Sequence, residues 1–480
     1  MLTTILQARV ALPDPHDCTD NADTLALLEA VFDALVRRGA DGRFHPALAE
    51  SWTVSEDARQ WRFVLRPGLT FHDGSPLDAA AMAFTIERMM RPEIGATLGA
   101  PAVWGQYLGG ATVTVEDAVR FTITTVEPIA DLLDILVSGY ALPPHAGDAP
   151  GFMDAPIGSG AYRVEAIEQG REIRLSANPD WWGDPVANAG IVCRQETDAR
   201  RRADALLAGE CDVATRLGPK EAASFAQRPD ISTGRHIDPM AIIFLLNVTK
   251  GPFRDLRVRR AINLAVDRRF LINRVLDGGG QALPGFISPS HFGSAMVDTV
   301  SHPDIATARR LLAEAGHGES LEITVDCPTR LPDEAEALTA ALAEQLKSVG
   351  IDIVVQMVED RTSYAEQVRD KAIHDMCLFD SSPMSTFRVL HEKIDSRAAG
   401  SWWQGYRNPK IEALLDQARR TVDWKAREDL YRKCYRALQD DPAWLTLYNY
   451  VRWIGLRGDY PDWRPRPDGI LDLTSLPAFG

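Results

Sequence analysis

One stretch constrains the fold more than any other, a strand–helix–strand pattern in the second half of the chain. Apolar residues predict a strand at 321–325, a helix at 333–348 and a strand at 351–357. Two strands joined through a helix pair in parallel, with a right-handed crossover. The sequence therefore predicts an α/β fold with a parallel sheet in this half.

The two halves of the chain differ in their predicted secondary structure, and this difference suggests candidate domain boundaries. The first half is rich in short alternating strands and turns, such as 61–65 followed by Pro67-Gly68. Further helices are predicted at 24–38, 77–91, 257–276, 303–315, 362–371, 409–421 and 424–440. Further strands are predicted at 111–127, 161–167, 172–176, 191–217 (around a helix), 242–247, 374–379, 445–450 and 453–456. Boundaries are expected near 143–156 and 230–240.

Size and charge exclude several classes of protein. The 480 residues are enough for two or three domains. The chain has 52 Lys and Arg against 67 Asp and Glu, a net charge of −15, so phosphate backbones repel it and no nucleic-acid partner is expected. The longest apolar runs, such as 241–246, are far shorter than the roughly 20 residues of a membrane helix.

The N-terminus and the cysteines bear on the cellular compartment. Residues 1–12 lack a basic region before an apolar core, so they do not resemble a signal peptide. The protein is then either cytosolic or a mature form whose leader has been removed. Six cysteines without metal-site spacing favour buried free thiols, and Cys193 and Cys211 are the pair to check for a disulfide.

No catalytic signature is present in the sequence. It contains no G-x-S-x-G, H-E-x-x-H, phosphate-loop or dinucleotide motif, and its ten histidines are scattered. The sequence therefore predicts no catalytic residues, no metal and no cofactor. A pair of carboxylates of the glycosidase type is an alternative that sequence leaves open.

Aromatic residues in polar loops are the main candidates for binding. For Trp181-Trp182, which follow a turn, packing is the favoured interpretation. Trp402-Trp403 and Tyr406 lie in a loop flanked by Gly and Ser, where packing and ligand binding are equally favoured.

Several motifs, in order, cover nearly the whole chain. They are Pro46–Trp52, Trp61–Leu77, Ile157–Tyr162, Asn178–Gly183, Ala205–Asp212, and Asn247 with Pro252, Phe253 and Val258–Arg268. Together they resemble the family 5 extracellular solute-binding proteins, the peptide-, opine- and nickel-binding receptors of bacterial ABC importers.

This resemblance implies a two-lobed periplasmic-binding-protein fold (type II, cluster C) with an extra subdomain inserted in lobe one. Lobe one is expected at 1–18, 156–240 and 453–480, the inserted subdomain at 19–155, and lobe two at 241–452. Hinge segments would let the lobes close around a small-molecule ligand. The resemblance further implies an ABC permease of the inner membrane as partner, a monomer, and a periplasmic location with the leader removed, the cytosol being the alternative.

One loop departs from the pattern of peptide receptors. Their W-G-x-D-x-x-D-P loop binds the ligand ammonium, whereas residues 378–388 read L-F-D-S-S-P-M-S-T-F-R. Free-amine peptides are then doubtful unless Asp380 takes that role, since a buried ammonium needs a carboxylate. Arg388 would bind a carboxylate or phosphate, or else form a salt bridge.

The resulting hypothesis is a transport receptor for a small polar or anionic solute. A peptide receptor with an altered loop and a leaderless cytosolic ligand sensor are the alternatives. The expected ligand-binding residues are Asp380, Ser385, Arg388, Trp402, Trp403, Tyr406 and Trp104. The loop 14–20 beside Trp104 is the alternative pocket.

Overall fold

The computed structural model describes residues 2–39, 41–96, 100, 102–294, 302–329 and 332–479. Its strands are β1 Leu2–Gln7, β2 Val36–Arg38, β3 Phe44–Pro46, β4 Ala49–Val54, β5 Gln60–Leu65, β6 Thr112–Val115, β7 Arg120–Thr124, β8 Tyr162–Glu168, β9 Glu172–Ala177, β10 Gly190–Gln195, β11 Val213–Leu217, β12 Ile231–Leu246, β13 Gly280–Ala282, β14 Leu321–Pro328, β15 Ile351–Val358, β16 Met376–Ser381 and β17 Trp444–Arg457.

Helices connect these strands. They are α1 Ala22–Val31, α2 Ala79–Met89, α3 Gly105–Leu108, α4 Leu133–Leu136, α5 Ala199–Ala208, α6 Pro219–Ser224, α7 Leu256–Ala265, α8 Arg268–Leu276, α9 Ile305–Glu314, α10 Ala335–Lys347, α11 Arg361–Arg369, α12 Thr386–Lys393, α13 Pro409–Arg420 and α14 Trp424–Asp440. None of the described helices is long and apolar enough to cross a membrane.

The chain divides into two compact units. Unit 1 comprises 1–97, 101–236 and 452–480, and unit 2 comprises 98–100 and 237–451. These limits differ by a few residues from those expected for the two lobes. Residues 19–97 and 101–155 fall within unit 1, and the separation of 19–155 as an inserted subdomain stays a prediction.

Parallel strands form the centre of the larger sheet of unit 1. β1 lies between β10 and β11 and is parallel to both, with Ile5 opposite Cys193 and Val213. β9 and then β8 extend this sheet, and the end of β17 pairs antiparallel with β11. Because the three central strands are parallel, their carboxyl ends lie at one edge.

A separate antiparallel sheet in unit 1 has the order β4-β5-β7-β6. The predicted alternation at 61–65 is confirmed, since Trp61 and Phe63 are buried and Phe63 stacks on Phe121 with ring centroids 5.4 Å apart. The helix predicted at 24–38 is too long, because α1 ends at Val31 and 36–38 form a strand. There, tertiary contacts outweigh helical spacing.

The predicted strand–helix–strand unit is confirmed in unit 2. β14 and β15 are parallel, with Leu321 opposite Ile351, and α10 connects them. The strand order is β15-β14-β16-β12-β17, with β13 paired to β17. β16 is also parallel to β14, whereas β12 is antiparallel to β16.

Two predictions for unit 2 are wrong in detail. The single helix expected at 257–276 is two helices, because Val266 has an extended backbone and the side chain of Asp267 accepts the N–H of Phe270 as N-cap of α8. A capping Asp inside an apolar periodic pattern marks such a break. The two strands expected at 445–450 and 453–456 are the single strand β17.

Candidate functional site

The carboxyl edge of the unit 2 sheet is the natural place for a ligand. β14, β15 and β16 are parallel, so their carboxyl ends meet at one edge. In open α/β sheets, ligands bind outside the carboxyl ends of the strands. β16 ends there with Phe379-Asp380-Ser381, and Phe379 and Asp380 are half-buried.

Trp402 joins this edge from a distant loop. Its half-buried ring packs on Phe379, with ring centroids 5.0 Å apart and planes at 43°. Trp402 therefore packs on the residue that precedes Asp380 in β16, while the side chain of Asp380 points to the opposite side of the strand. We use the name β16 face for the surface at the carboxyl end of β16, which is formed by Phe379, Asp380, Ser381 and Trp402.

Ser381 is a further candidate site residue, which the sequence analysis did not name. Its side chain is 3% exposed. Within the part of the chain that the structure describes, its hydroxyl has no hydrogen-bond partner. A buried hydroxyl without a partner costs about 1–3 kcal/mol, which a ligand hydrogen bond would remove. Only its position next to Asp380 could have indicated it.

Hydrogen bonds from Lys371 hold the loop that carries Trp402. The Lys371 ammonium donates hydrogen bonds to the carbonyls of Gly400, at 2.9 Å, and Ser401, at 2.7 Å. Burial lowers the pKa of Lys371 to about 8. Gly405 has φ +89°, and a Cβ there would lie 2.4 Å from Thr249 Cγ2, so glycine is required. The loop is thus built to hold one conformation.

Ser385 and Arg388 lie at the start of α12. Ser385 is its N-cap, and its hydroxyl accepts the Arg388 N–H at 3.3 Å. The buried Arg388 donates through Nε to Glu392 Oε1 at 3.2 Å. The salt-bridge alternative is therefore present in the structure. A role for either residue in ligand binding stays a prediction.

Contacts with His291 and Phe292 hold the segment between β16 and α12 in place. The Nε2 of His291 lies 2.8 Å from the carbonyl oxygen of Pro383, so the tautomer that donates there is required. The hydroxyl of Thr386 donates to the carbonyl of Phe292. Neither contact is visible in the sequence, because 92 and 94 residues separate the partners.

Trp403 and Tyr406 support the loop from the inside. The indole N–H of Trp403 donates to the carbonyl of Tyr406 at 2.6 Å. The Tyr406 hydroxyl donates to the carbonyl of Asp441 at 2.9 Å, and the side chain is 2% exposed. Burial raises the pKa of this phenol. The structure thus places Tyr406 in the core, apart from the half-buried Trp402.

In unit 1, Trp104 and the loop 14–20 are brought together. Trp104 is 1% exposed, and its indole N–H donates to the carbonyl of His16 at 2.5 Å. Arg88 donates to Asp14 at 2.6 Å and to Asp148 at 2.9 Å. Burial and the Arg88 charge lower the pKa of His16 to about 4, so its ring is neutral at pH 7. Trp104 braces this loop from within.

Trp181 and Trp182 form a further cluster in unit 1. Both are half-buried, and both indoles donate to Asp33 Oδ2, at 3.3 and 2.9 Å. The Arg37 guanidinium lies 6.0 and 5.3 Å from the two rings. Burial raises the pKa of Asp33 to about 6. Asp33, Trp181 and Arg466 line a cavity of about 260 Å³.

Metal and disulfide chemistry were checked as well. In the ranges that the structure describes, no three His, Cys, Asp or Glu side chains are grouped to hold a metal ion. All six cysteines are buried free thiols, so Cys193 and Cys211 are not bridged.

Comparison with known proteins supplies the family. The family model for bacterial extracellular solute-binding proteins, family 5 Middle, matches residues 43–387. Di/tripeptide-binding protein 1 of Pseudomonas aeruginosa is 25% identical over 95% of this chain and 90% of its own length.

Solved structures share the fold. The Helicobacter pylori protein DppA, in complex with the peptide STSA, has a TM-score of 0.77 and 23% identity over 95% of this chain and 93% of its own. AgaA of A. tumefaciens R10, in complex with agropinic acid, has a TM-score of 0.79 and 23% identity over 99% and 96%. The predicted type II, two-lobed periplasmic-binding-protein fold is confirmed. Since the family model covers more than half of the chain, the protein belongs to the bacterial extracellular solute-binding proteins of family 5.

Proposed function

We propose that this receptor captures a small polar solute at the β16 face and delivers it to an inner-membrane permease. Members of family 5 are solute-binding receptors of ABC importers and not enzymes. The observation that carries the proposal is the Trp402 ring, packed 5.0 Å from Phe379 beside the half-exposed Asp380.

The chemistry of the β16 face suits a solute with hydroxyl groups. The Trp402 ring offers apolar area and loses little rotamer entropy on binding. The Asp380 carboxylate accepts hydrogen bonds, and the Ser381 hydroxyl gains the partner it lacks among the described residues. In this proposal Ser385 and Arg388 bind an anionic group of the solute, with Arg388 shared between that group and Glu392.

A di- or tripeptide is the second candidate ligand. The observation that favours it is the position of Asp380, which is half-buried at the carboxyl end of β16, whereas Arg388 already has Glu392 as a partner. A peptide ammonium would then bind Asp380. The P. aeruginosa relative is itself a di/tripeptide-binding protein.

Family 5 binding proteins are periplasmic, and we place this receptor there as a monomer. A cytosolic protein would be found in the soluble fraction of spheroplasts. A periplasmic one is released when the outer membrane is opened by osmotic shock. Fractionation of the source bacterium, followed by size-exclusion chromatography with light scattering, tests both parts.

Calorimetry with a panel of ligands tests the site. The panel contains opines, polyols, and dipeptides with free and with blocked amino groups. Trp402→Ala should weaken binding of the true ligand by about 10- to 100-fold, since removing a ring contact costs about 1.5–3 kcal/mol. Trp463→Ala, a half-buried tryptophan of unit 1, is the matched control and should bind like the parent.

Asp380→Asn separates the two candidate ligands. Loss of the carboxylate should abolish binding of a free-amine peptide but change binding of a hydroxylated solute only a few-fold. Asp352→Asn, an exposed site on β15, is the matched control. If Trp402→Ala and Asp380→Asn both bind every ligand as the parent does, the β16 face is not the binding site.

A further inference from the structure

Unit 2 contains a cavity whose residues are not those of the β16 face. It has a volume of about 250 Å³, opens to solvent, and lies where α7, α8, α14 and the start of β17 meet. Its walls combine apolar side chains, among them Phe286 and Trp444, with the polar side chains of Asn263 and Gln439 and two arginines, Arg260 and Arg268.

Arg268 is a buried cation whose described hydrogen-bond acceptors are all neutral. It is 8% exposed. Its Nε donates to the carbonyl of Thr446 at 2.6 Å, and its Nη2 donates to the side-chain oxygen of Asn263 at 3.0 Å. Burial lowers the pKa of Arg268 to about 10, so the side chain stays charged at neutral pH, and no carboxylate of the described residues contributes to that shift. A buried charge without a counterion costs several kcal/mol.

Arg260 places a second positive charge on the same wall. Its side chain is exposed and, within the described chain, it makes no ion pair or hydrogen bond. None of the described residues that line the cavity is acidic. In a chain of net charge −15, two guanidinium groups without a carboxylate are an unusual local excess of positive charge.

A structural role for Arg268 accounts for only part of this excess. Arg268 also donates to the carbonyl of Asn263 in the last turn of α7, at 3.2 Å. The C-terminal end of a helix carries about half an elementary negative charge. That offsets about half of one of the two positive charges, and the remainder favours an anion in the cavity.

We propose that this cavity is a second ligand site, which binds a small molecule bearing a carboxylate or phosphate group. Arg260 and Arg268 hold the anionic group, since guanidinium groups bind planar carboxylate and phosphate oxygens in pairs. Phe286 and Trp444 contact the apolar part. The volume is just below the roughly 300–1,000 Å³ of typical ligand pockets, so the molecule is small.

Binding of inorganic phosphate and of benzoate to the full chain tests the proposal. Each probe is titrated by calorimetry at constant ionic strength, kept with NaCl, so that general screening does not change. At least one probe should bind saturably at one site per chain. Phosphate binding alone identifies a phosphate site, benzoate binding alone a carboxylate site, and both outcomes support the cavity.

Variants then locate the binding. Arg260→Gln changes an exposed side chain and should weaken binding at least tenfold, about 1.4 kcal/mol. Arg269→Gln, the exposed neighbour on α8 outside the cavity, should bind like the parent. Arg268→Lys keeps the charge without the planar fork and should also weaken binding. If Arg268→Lys does not fold, the other two variants still decide.

A final variant separates this site from the β16 face. Trp402→Ala should leave phosphate and benzoate binding unchanged, so failure of one site does not imply failure of the other. The proposal is overturned if neither probe binds saturably. It is equally overturned if Arg260→Gln and Arg269→Gln bind alike, because the affinity would then come from general surface charge.

Discussion

Each unit contains a cavity of nearly the same volume, about 260 Å³ in unit 1 and 250 Å³ in unit 2, yet the charges on their walls differ. The described wall of the unit 1 cavity carries three arginines and three acids, namely Arg37, Arg38, Arg466, Glu29, Asp33 and Asp472. The described wall of the unit 2 cavity carries two arginines and no acid. Volume alone therefore does not indicate a ligand site.

Two of the three arginines that line the unit 1 cavity are paired with carboxylates. Arg466 pairs with Glu29 at 2.5 Å and with Asp468 at 2.7 Å. Arg38 pairs with Asp134 at 2.5 Å. A wall that carries as many acids as arginines has little free energy to gain from an added ion. In unit 2 that gain is still available, which is why we assign the second ligand site there.

Breaking the pairs of unit 1 should have the largest effect. Arg466→Ala leaves the Glu29 carboxylate without its cation, and loss of one partner of a buried pair costs about 3–5 kcal/mol. Since Glu29 is partly exposed, we expect about 3 kcal/mol, measured by urea unfolding. Arg464→Ala, exposed on the same segment, should change stability by less than about 0.5 kcal/mol. Equal effects of both variants would contradict the pairing.

The second largest effect concerns pH. Burial raises the pKa of Asp33 from 3.8 to about 6 in the folded protein. Between these values the folded state binds more protons than the unfolded state, so stability falls as pH rises from about 4 to 6. About two pKa units correspond to about 3 kcal/mol.

Asp33→Asn should remove this part of the pH dependence. Below pH 4, the free energies of unfolding of parent and variant should change with pH in the same way. By pH 7, the variant should have become about 2–3 kcal/mol more stable relative to the parent. Arg268 gives no slope in this window, because its pKa is near 10. A parent and variant with parallel stability profiles from pH 4 to 7 would mean that Asp33 has an ordinary pKa.

A smaller effect is expected from Trp182→Phe. The change keeps most of the ring but removes the indole hydrogen bond to the Asp33 carboxylate, 2.9 Å long. Hydrogen bonds to charged groups contribute about 1.5–3 kcal/mol, and the half-buried position favours about 1.5. The pKa of Asp33 should rise further, seen by carboxyl NMR. Trp463→Phe is the control.

The smallest change makes the unit 2 cavity resemble that of unit 1. Gln439→Glu places a carboxylate on a wall that also carries Arg260 and Arg268. We expect little net change in stability, because an ion-pair gain of at most about 1 kcal/mol is offset by loss of the hydrogen bond that Gln439 Nε2 donates to the Pro284 carbonyl at 3.1 Å. Phosphate and benzoate should then no longer bind. Undiminished probe binding by this variant would show that the two arginines do not hold the anion.

The sequence predicts the fold where local periodicity and long-range packing agree. The unit β14-α10-β15 is such a case, since its apolar pattern and its crossover lead to one arrangement. It fails where one capping residue interrupts the pattern, as Asp267 does between α7 and α8. Sequence prediction also fails after Val31. The helical spacing of apolar residues continues there, but the Asp33 carboxylate accepts hydrogen bonds from the indoles of Trp181 and Trp182.

The site is only partly predictable, for a similar reason. Asp380 and Trp402 were predicted because their own loops are unusual. Ser381 was not, since a missing hydrogen bond is a property of the folded surroundings. The Lys371 contacts that hold the Trp402 loop, and the lack of a counterion for Arg268 among the described residues, depend likewise on residues far away in the sequence. The resemblance supplied Arg268 as part of a motif but said nothing of its charge balance.

The buried cysteines have a practical consequence. Three lie in each unit: Cys18, Cys193 and Cys211 in unit 1, and Cys327, Cys377 and Cys434 in unit 2. Burial raises the pKa of Cys211 and of Cys434 to about 12, so few thiolates form while the chain is folded. Alkylating reagents react with thiolates. A short pulse of such a reagent during unfolding would therefore mark each unit as it opens, and mass spectrometry of the labelled peptides would time the two units separately within one unmodified chain.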